Sequence, residues 1–301
     1  MVGVIDDGDF GTYKSNQIFF TTMSYVYENL HIDDIDSQYG YPTSWMALDV
    51  AALQNYYGVV ANNEESNTYY LTSTHTLQEG GLLSDEGANC LCIYDTGGND
   101  TISAEGENDR VIINLNPAKL GNVEDNEFTD AEGKEYNSSG GYISYIPNLQ
   151  DGKGNGFTIA KNVDIENAIG GNNDDIIYEN GLGNFIDGNN GIDSVIFIKN
   201  HDQYEIKVEV NNEDEIEKCY LKTSGIVDEL IDIEEVKFND TIFINLEELI
   251  INIYDEGNVD VTQYLSLNGY NLDQVSSKLP KRNKKKPKCI TYNENKKLNL
   301  T

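Results

Sequence analysis

Basic residues are scarce. Twenty Lys and Arg face 52 Asp and Glu, a formal net charge of −32. Seven of the 20 crowd between Lys278 and Lys288, so the rest of the chain is more acidic than the total implies. Such a field repels polyanions, and no nucleic-acid partner is expected even for the Lys-rich stretch. Carboxylates at this density also oppose compaction unless cations screen or bind them. Disorder fits poorly, because Ile, Val, Leu, Tyr and Phe are plentiful. A soluble acidic fold and a cation-loaded one remain. Long apolar runs are lacking, which excludes a helical membrane span. MVGVIDDGDF has no basic segment followed by an apolar one, so no cleavable signal peptide is expected. Cysteines are four: Cys90, Cys92, Cys219 and Cys289. Their spacing does not suit a zinc finger, leaving incidental thiols as the first reading and a disulfide as the alternative.

One helix is expected near the start. Pro42, Thr43 and Ser44 signal its beginning, Trp45, Leu48, Ala52 and Tyr56 form one apolar face, and Gly58 stops it. Short β segments, Gly turns and polar loops follow to about residue 160. Residues 170 to 196 then fall into three nonapeptides: GGNNDDIIY, ENGLGNFID and GNNGIDSVI. Position six is Asp175, Asn184 and Asp193; position eight is Ile177, Ile186 and Val195. The next nine, FIKNHDQYE, keeps Asp202 and Tyr204 at those places. An earlier pair, DTGGNDTIS and AEGENDRVI, carries Asp100 and Asp109 with Ile102 and Val111. Beyond residue 200 longer alternating strands read as an antiparallel cap, which a repeat stack needs at its open end. Residues 251–301 read as a tail with a Lys-rich segment.

The nonapeptide predicts a chemistry. Its first residues form a Gly- and Asn-rich turn that aims carbonyl oxygens inward. The Asx at position six adds a side-chain oxygen, and the aliphatic at position eight enters the core. One repeat is half a turn of a coil; two complete it, with a sheet on each side. Asp175 and Asp193 should therefore lie on neighbouring turns of one edge, with Asn184 and Asp202 as a similar pair on the other. Carbonyls plus two carboxylates make a cage of the size calcium accepts, whereas magnesium demands a tighter octahedron. Binding and folding should be coupled.

These nonapeptides resemble the GGxGxDxUx repeat of RTX proteins, and more of the chain resembles serralysin-type metallopeptidases. PTSWMALDVAALQNYYG is similar to the helix joining catalytic and C-terminal domains, CIYDTGGNDTIS to a first calcium loop, and VDIENAIGGNNDDII to the segment leading into the repeats. The resemblance implies a mainly β fold: a right-handed parallel β-roll over 59–200, an antiparallel β cap over 201–250, and a helical remnant of a metzincin domain over 1–58. It implies calcium ligands at Asp95, Gly97, Gly98 and Asp100, at Asp164 and Glu166, and at Gly171, Asn173 and Asp175, alongside Asn184, Asp193 and Asp202 from the repeat. TTMSYVYEN resembles the Met-turn, making Met23 and Tyr25 vestiges of a zinc site. A zinc-binding helix needs HExxHxxGxxH, and His31, His75 and His201 do not have that spacing. Several Ca2+ ions are expected in this chain and no Zn2+.

The expected function is a calcium-binding RTX module of a secreted serralysin-like protease, without proteolytic activity in this chain. One alternative is an active zinc endopeptidase completed by upstream sequence, which would act on protein substrates. Another is a non-enzymatic secreted structural or adhesion protein. An extracellular, monomeric protein exported by a type I-like route is expected.

Overall fold

The computed structural model describes residues 20–24, 41–73, 89–120, 127–129, 135–137, 141–147, 156–210, 216–240, 242–246, 289–293 and 296–300. The protein is mainly β, with one α-helix among the described residues and many parallel strand pairs. It divides into two units, Met1–Asn172 and Asn173–Thr301, with the boundary inside the first nonapeptide.

The first unit holds β1 (Tyr41–Pro42), α1 (Ala47–Tyr57), β2 (Thr68–Tyr70), β3 (Asn89–Ile93), β4 (Thr101–Ser103), β5 (Ile112–Asn114), β6 (Glu127–Thr129), β7 (Glu135–Asn137), β8 (Gly156–Ile159) and β9 (Asn167–Ile169). Strands β1, β3 and β8 pair in parallel, as do β2, β4 and β9. Tyr69, Ile102 and Ala168 occupy matching register positions and are all buried. The helix ends at Gly58, whose φ of +83° is costly for any residue with a Cβ.

Helix α1 buries a different face from the one its pattern suggests. Met46, Ala47 and Val50 are buried, while Trp45 is 60% and Tyr56 82% exposed. The reason is Asp49. Its carboxylate accepts hydrogen bonds from Thr21 Oγ1 (2.6 Å), the Thr22 N–H (2.8 Å), Thr22 Oγ1 (3.0 Å) and the Met46 N–H (3.0 Å). This ties the helix start to the Thr21–Thr22 turn, and Phe20 is buried beside it.

The second unit holds β10 (Ile176–Tyr178), β11 (Phe185–Asp187), β12 (Ser194–Phe197), β13 (Glu205–Val210), β14 (Ile216–Thr223), β15 (Ile226–Ile231), β16 (Glu235–Phe238), β17 (Phe243–Asn245), β18 (Cys289–Asn293) and β19 (Lys296–Leu300). The nine-residue period is written into its pairing. Strands β10 and β12 come from alternate nonapeptides and pair in parallel, Ile177 opposite Val195. The intervening β11 lies in another sheet, parallel to β15. Successive repeats thus alternate between two sheets. Ile177, Ile186 and Val195 are all fully buried, as position eight requires.

Beyond the repeats β16 continues the β10–β12 sheet in parallel and β17 closes it antiparallel. Strands β15, β14 and β13 form an antiparallel meander. The chain's last residues are strand, not tail: β18 adds antiparallel to β13, and β19 to β18. The Lys-rich segment lies outside the described residues. Phe197, Tyr204 and Phe238 form an aromatic cluster with centroids 5.1 to 5.7 Å apart, contacts of the kind that add to area burial. Cys90, Cys92 and Cys219 are free and buried, and burial pushes the Cys92 and Cys219 thiols up to about 12.

Candidate metal centre

Each strand pair places the acids of the turns before it in a stack. In the second unit the Asp175 N–H donates to Asp193 Oδ1 at 2.7 Å. The Asp193 N–H donates in turn to Glu234 Oε2 at 2.8 Å. In the first unit the Asn67 N–H donates to Asp100 Oδ1 at 2.8 Å, and the Asp100 N–H to Glu166 Oε2 at 2.7 Å. Both are three-tier ladders in which an acid of one turn satisfies the turn before it. A shorter ladder on the other edge joins the Asn184 N–H to Asp228 Oδ1 at 2.8 Å.

The predicted residues fall into these ladders unevenly. Asp95 and Asp100 are buried at one loop, with Asp95 Oδ2 accepting from Tyr69 Oη at 2.7 Å. Gly97 and Gly98 form the loop between them; Gly98 has φ +116°, and a Cβ there would meet the Glu65 carbonyl at 2.5 Å. Asp164 is exposed and Glu166 half-buried beside that loop. Gly171 is buried against the Glu107 carbonyl, 2.9 Å from where its Cβ would be. Asn173 is exposed, whereas Asp175, Asn184 and Asp193 are buried.

Asp202 does not stack beside Asn184. It sits exposed in a 3-10 turn, His201–Gln203, where the chain leaves the nine-residue period, and Asp228 takes the neighbouring tier. Asp109 is likewise exposed, and Glu107 is the buried acid of its turn, accepting from Ser73 N–H at 2.6 Å and Ser73 Oγ at 3.0 Å. Met23 lies on the turn beside α1 and is 73% exposed. Tyr25 lies outside the described residues.

Sequence reasoning missed Asp228, Glu234, Glu179 and Glu107. The triplet Asp232-Ile233-Glu234 repeats Asp164-Ile165-Glu166, and that signal was available. Glu179 is wholly buried, accepting from the Ile198 N–H at 2.7 Å, from the Gly181 N–H, and from Tyr204 Oη at 3.2 Å.

These carboxyls sit where charge is disfavoured. Burial pushes Asp100 up to about 6, Asp193 to about 8 and Asp228 to about 7, each against its backbone hydrogen bond; Glu179 is also raised by burial. Asp193 is fully buried, and its Oδ2 meets no hydrogen-bond donor among the described residues. A buried carboxylate oxygen without a donor is costly unless a proton or a cation meets it. Among the described residues no three His, Cys, Asp or Glu side chains converge as a cluster. The donor set is instead one or two carboxylates with backbone carbonyls, which suits a hard, flexible oxygen-liganded cation such as calcium. The His-rich set that zinc requires is missing from the sequence.

The fold and the ladders define a mainly β protein with stacked acidic turns. Its relatives are metallopeptidases. The chain is 30% identical over 180 residues to a serralysin of Photorhabdus luminescens, covering 58% of this chain and 31% of that protein. Serralysin C of Dickeya chrysanthemi is 29% identical over 166 residues, covering 55% and 29%. Metallopeptidase AprA of Pseudomonas marginalis is 28% identical over 179 residues, covering 58% and 32%. The chain is thus related to serralysin-type metallopeptidases, and the matched part spans about a third of their length. No protein-family model matches. Among the described residues no helix is long and apolar enough to cross a membrane.

Proposed function

We propose that this chain is a calcium-binding RTX module, a right-handed parallel β-roll with an antiparallel cap, belonging to a secreted serralysin-like metallopeptidase. The carrying observation is the contact between Asp175 and Asp193, 18 residues apart, with the Asp193 side chain buried and one of its oxygens unmet. Calcium would be held by carboxylates of the ladders, Asp95 and Asp100 with Glu166 in the first unit and Asp175 and Asp193 in the second, together with turn carbonyls. It would replace the proton that burial otherwise favours. In low calcium the acidic roll stays loose, and at millimolar calcium outside the cell it folds. The test is a calcium titration from chelated protein, followed by circular dichroism. A cooperative rise in β signal at concentrations where magnesium is inert supports the module. A flat response removes it and leaves a secreted structural or adhesion protein.

A second reading is favoured by one surface. Met23 stands exposed on a turn clamped by Asp49, beside exposed Trp45, Tyr56 and Tyr57. That apolar surface fits a catalytic half supplied by upstream sequence or a second polypeptide, making an active zinc endopeptidase. A longer reading frame containing HExxHxxGxxH would establish it. This chain's own residues cannot supply the zinc ligands or the general base.

A further inference from the structure

The two ladders end in the same way, and the likeness extends to individual atoms. In the first unit the Asp100 N–H donates to Glu166 Oε2 (2.7 Å), while the Asp100 carbonyl accepts from the N–H groups of Glu166 (3.2 Å) and Asn167 (2.9 Å). In the second unit the Asp193 N–H donates to Glu234 Oε2 (2.8 Å), while the Asp193 carbonyl accepts from the N–H groups of Glu234 (3.2 Å) and Glu235 (3.0 Å). The triplets match in burial as well: Asp164 and Asp232 exposed, Ile165 and Ile233 buried, Glu166 and Glu234 half-buried. Gly98 and Gly191 precede the ladder Asp by two residues in both, with φ of +116° and +139°. A Cβ on either would strike the carbonyl of the preceding turn, Glu65 at 2.5 Å or Asn173 at 2.7 Å. The terminal turn of the second unit therefore reproduces the Asp100 loop, although its acids lie outside any nonapeptide.

An independent observation points to a ligand there. Asp193 Oδ2 is the buried oxygen without a donor, and it converges with a carbonyl. A Cβ built on Gly188 would stand 2.1 Å from the Asp232 carbonyl oxygen and 2.6 Å from Asp193 Oδ2. Two oxygens with no proton between them thus crowd one point, and only a glycine leaves room. Asp232 holds φ +49°, an uncommon conformation for a residue with a Cβ. The nearest turn adds Asp187, whose Oδ1 accepts from the Asn189 N–H at 3.0 Å.

We infer that the junction between the last nonapeptide and the cap is a divalent-cation site, built by the Asp193 carboxylate, the Asp232 carbonyl and the carboxylates of Asp232 and Glu234. Its all-oxygen donors select calcium. The site joins the cap to the repeats through the metal. This inference rests on the calcium reading above.

The test compares the full chain with the double variant Asp232→Asn, Glu234→Gln. Both changes keep size and hydrogen-bonding oxygens and remove charge. Isothermal titration with calcium chloride should show one ion fewer per chain, with a smaller calcium-dependent rise in Tm. Should the double variant fail to fold, as judged by circular dichroism in calcium, Asp232→Asn alone serves, since that side chain is exposed. It should weaken one class of site about tenfold. Unchanged stoichiometry and affinity in a folded variant overturn the inference while the calcium module stands. A parent chain that binds no calcium overturns both.

Discussion

Replacing Asp193 by Asn should act in opposite directions with and without calcium. The carboxyl is fully buried, and burial lifts it from 3.8 to about 8. A carboxyl raised on folding favours the folded state fully below its unfolded value. That contribution is lost as pH climbs through the folded value. For Asp193 the loss runs from pH 3.8 to about 8. At pH 7, calcium-free protein must take up a proton here on folding. At about 1.4 kcal/mol per pH unit this costs about 4 kcal/mol as an upper bound. Asn has no proton to take up. Its Oδ1 still accepts from the Asp175 N–H, and its Nδ2 replaces the oxygen that lacks a donor. In chelator at pH 7 Asp193→Asn should therefore be more stable by up to about 4 kcal/mol. The gain should shrink to near zero at pH 4. In saturating calcium the order reverses, because the variant has lost a charged ligand. Urea melts at pH 4, 5.5 and 7, with and without calcium, measure all of this. A calcium-free variant no more stable than the parent at pH 7, or a gain independent of pH, would refute the reasoning.

Two further outcomes are expected. Ile186→Ala, at a wholly buried position eight, should cost about 2–5 kcal/mol in calcium-loaded protein, read as a fall in the urea midpoint at unchanged slope. Gly191→Ala must adopt φ +139° and place a Cβ 2.7 Å from the Asn173 carbonyl oxygen, so it should lower Tm by more than the matched change Gly106→Ala, where a Cβ meets nothing within 4 Å; equal losses would show that the close approach is unimportant.

The repeat made one part of this molecule legible before any coordinates. Positions six and eight predict which residues are buried, and Asp175, Asn184, Asp193, Ile177, Ile186 and Val195 all are. Alternation between sheets follows from a half-turn of nine residues, and Ile177 opposite Val195 bears it out. What escaped is what the period does not govern. Glu234 and Asp228 reach their ladders from 41 and 44 residues away, across the β13–β14–β15 meander. Nothing local marks them except the repeated Asp-Ile-Glu. Asp202 kept the spacing but not the place, because the backbone turns into a 3-10 geometry before the next half-coil can form. The helix was found, but its buried face was misread, because Asp49 ties its start to Thr21 and Thr22 and buries the Met46, Ala47 and Val50 side instead.

Because Asp100 and Asp193 are closed off by the same three hydrogen bonds, the ends of this architecture are interchangeable parts. The middle is a measure of length. A gene that gains or loses 18 codons between them adds or removes one whole coil and leaves each acid on its own edge. A change of nine exchanges the edges and sends every later strand to the opposite sheet. Duplication in even multiples of the nonapeptide is therefore the growth step this fold tolerates, and a single terminal piece serves a roll of any such size.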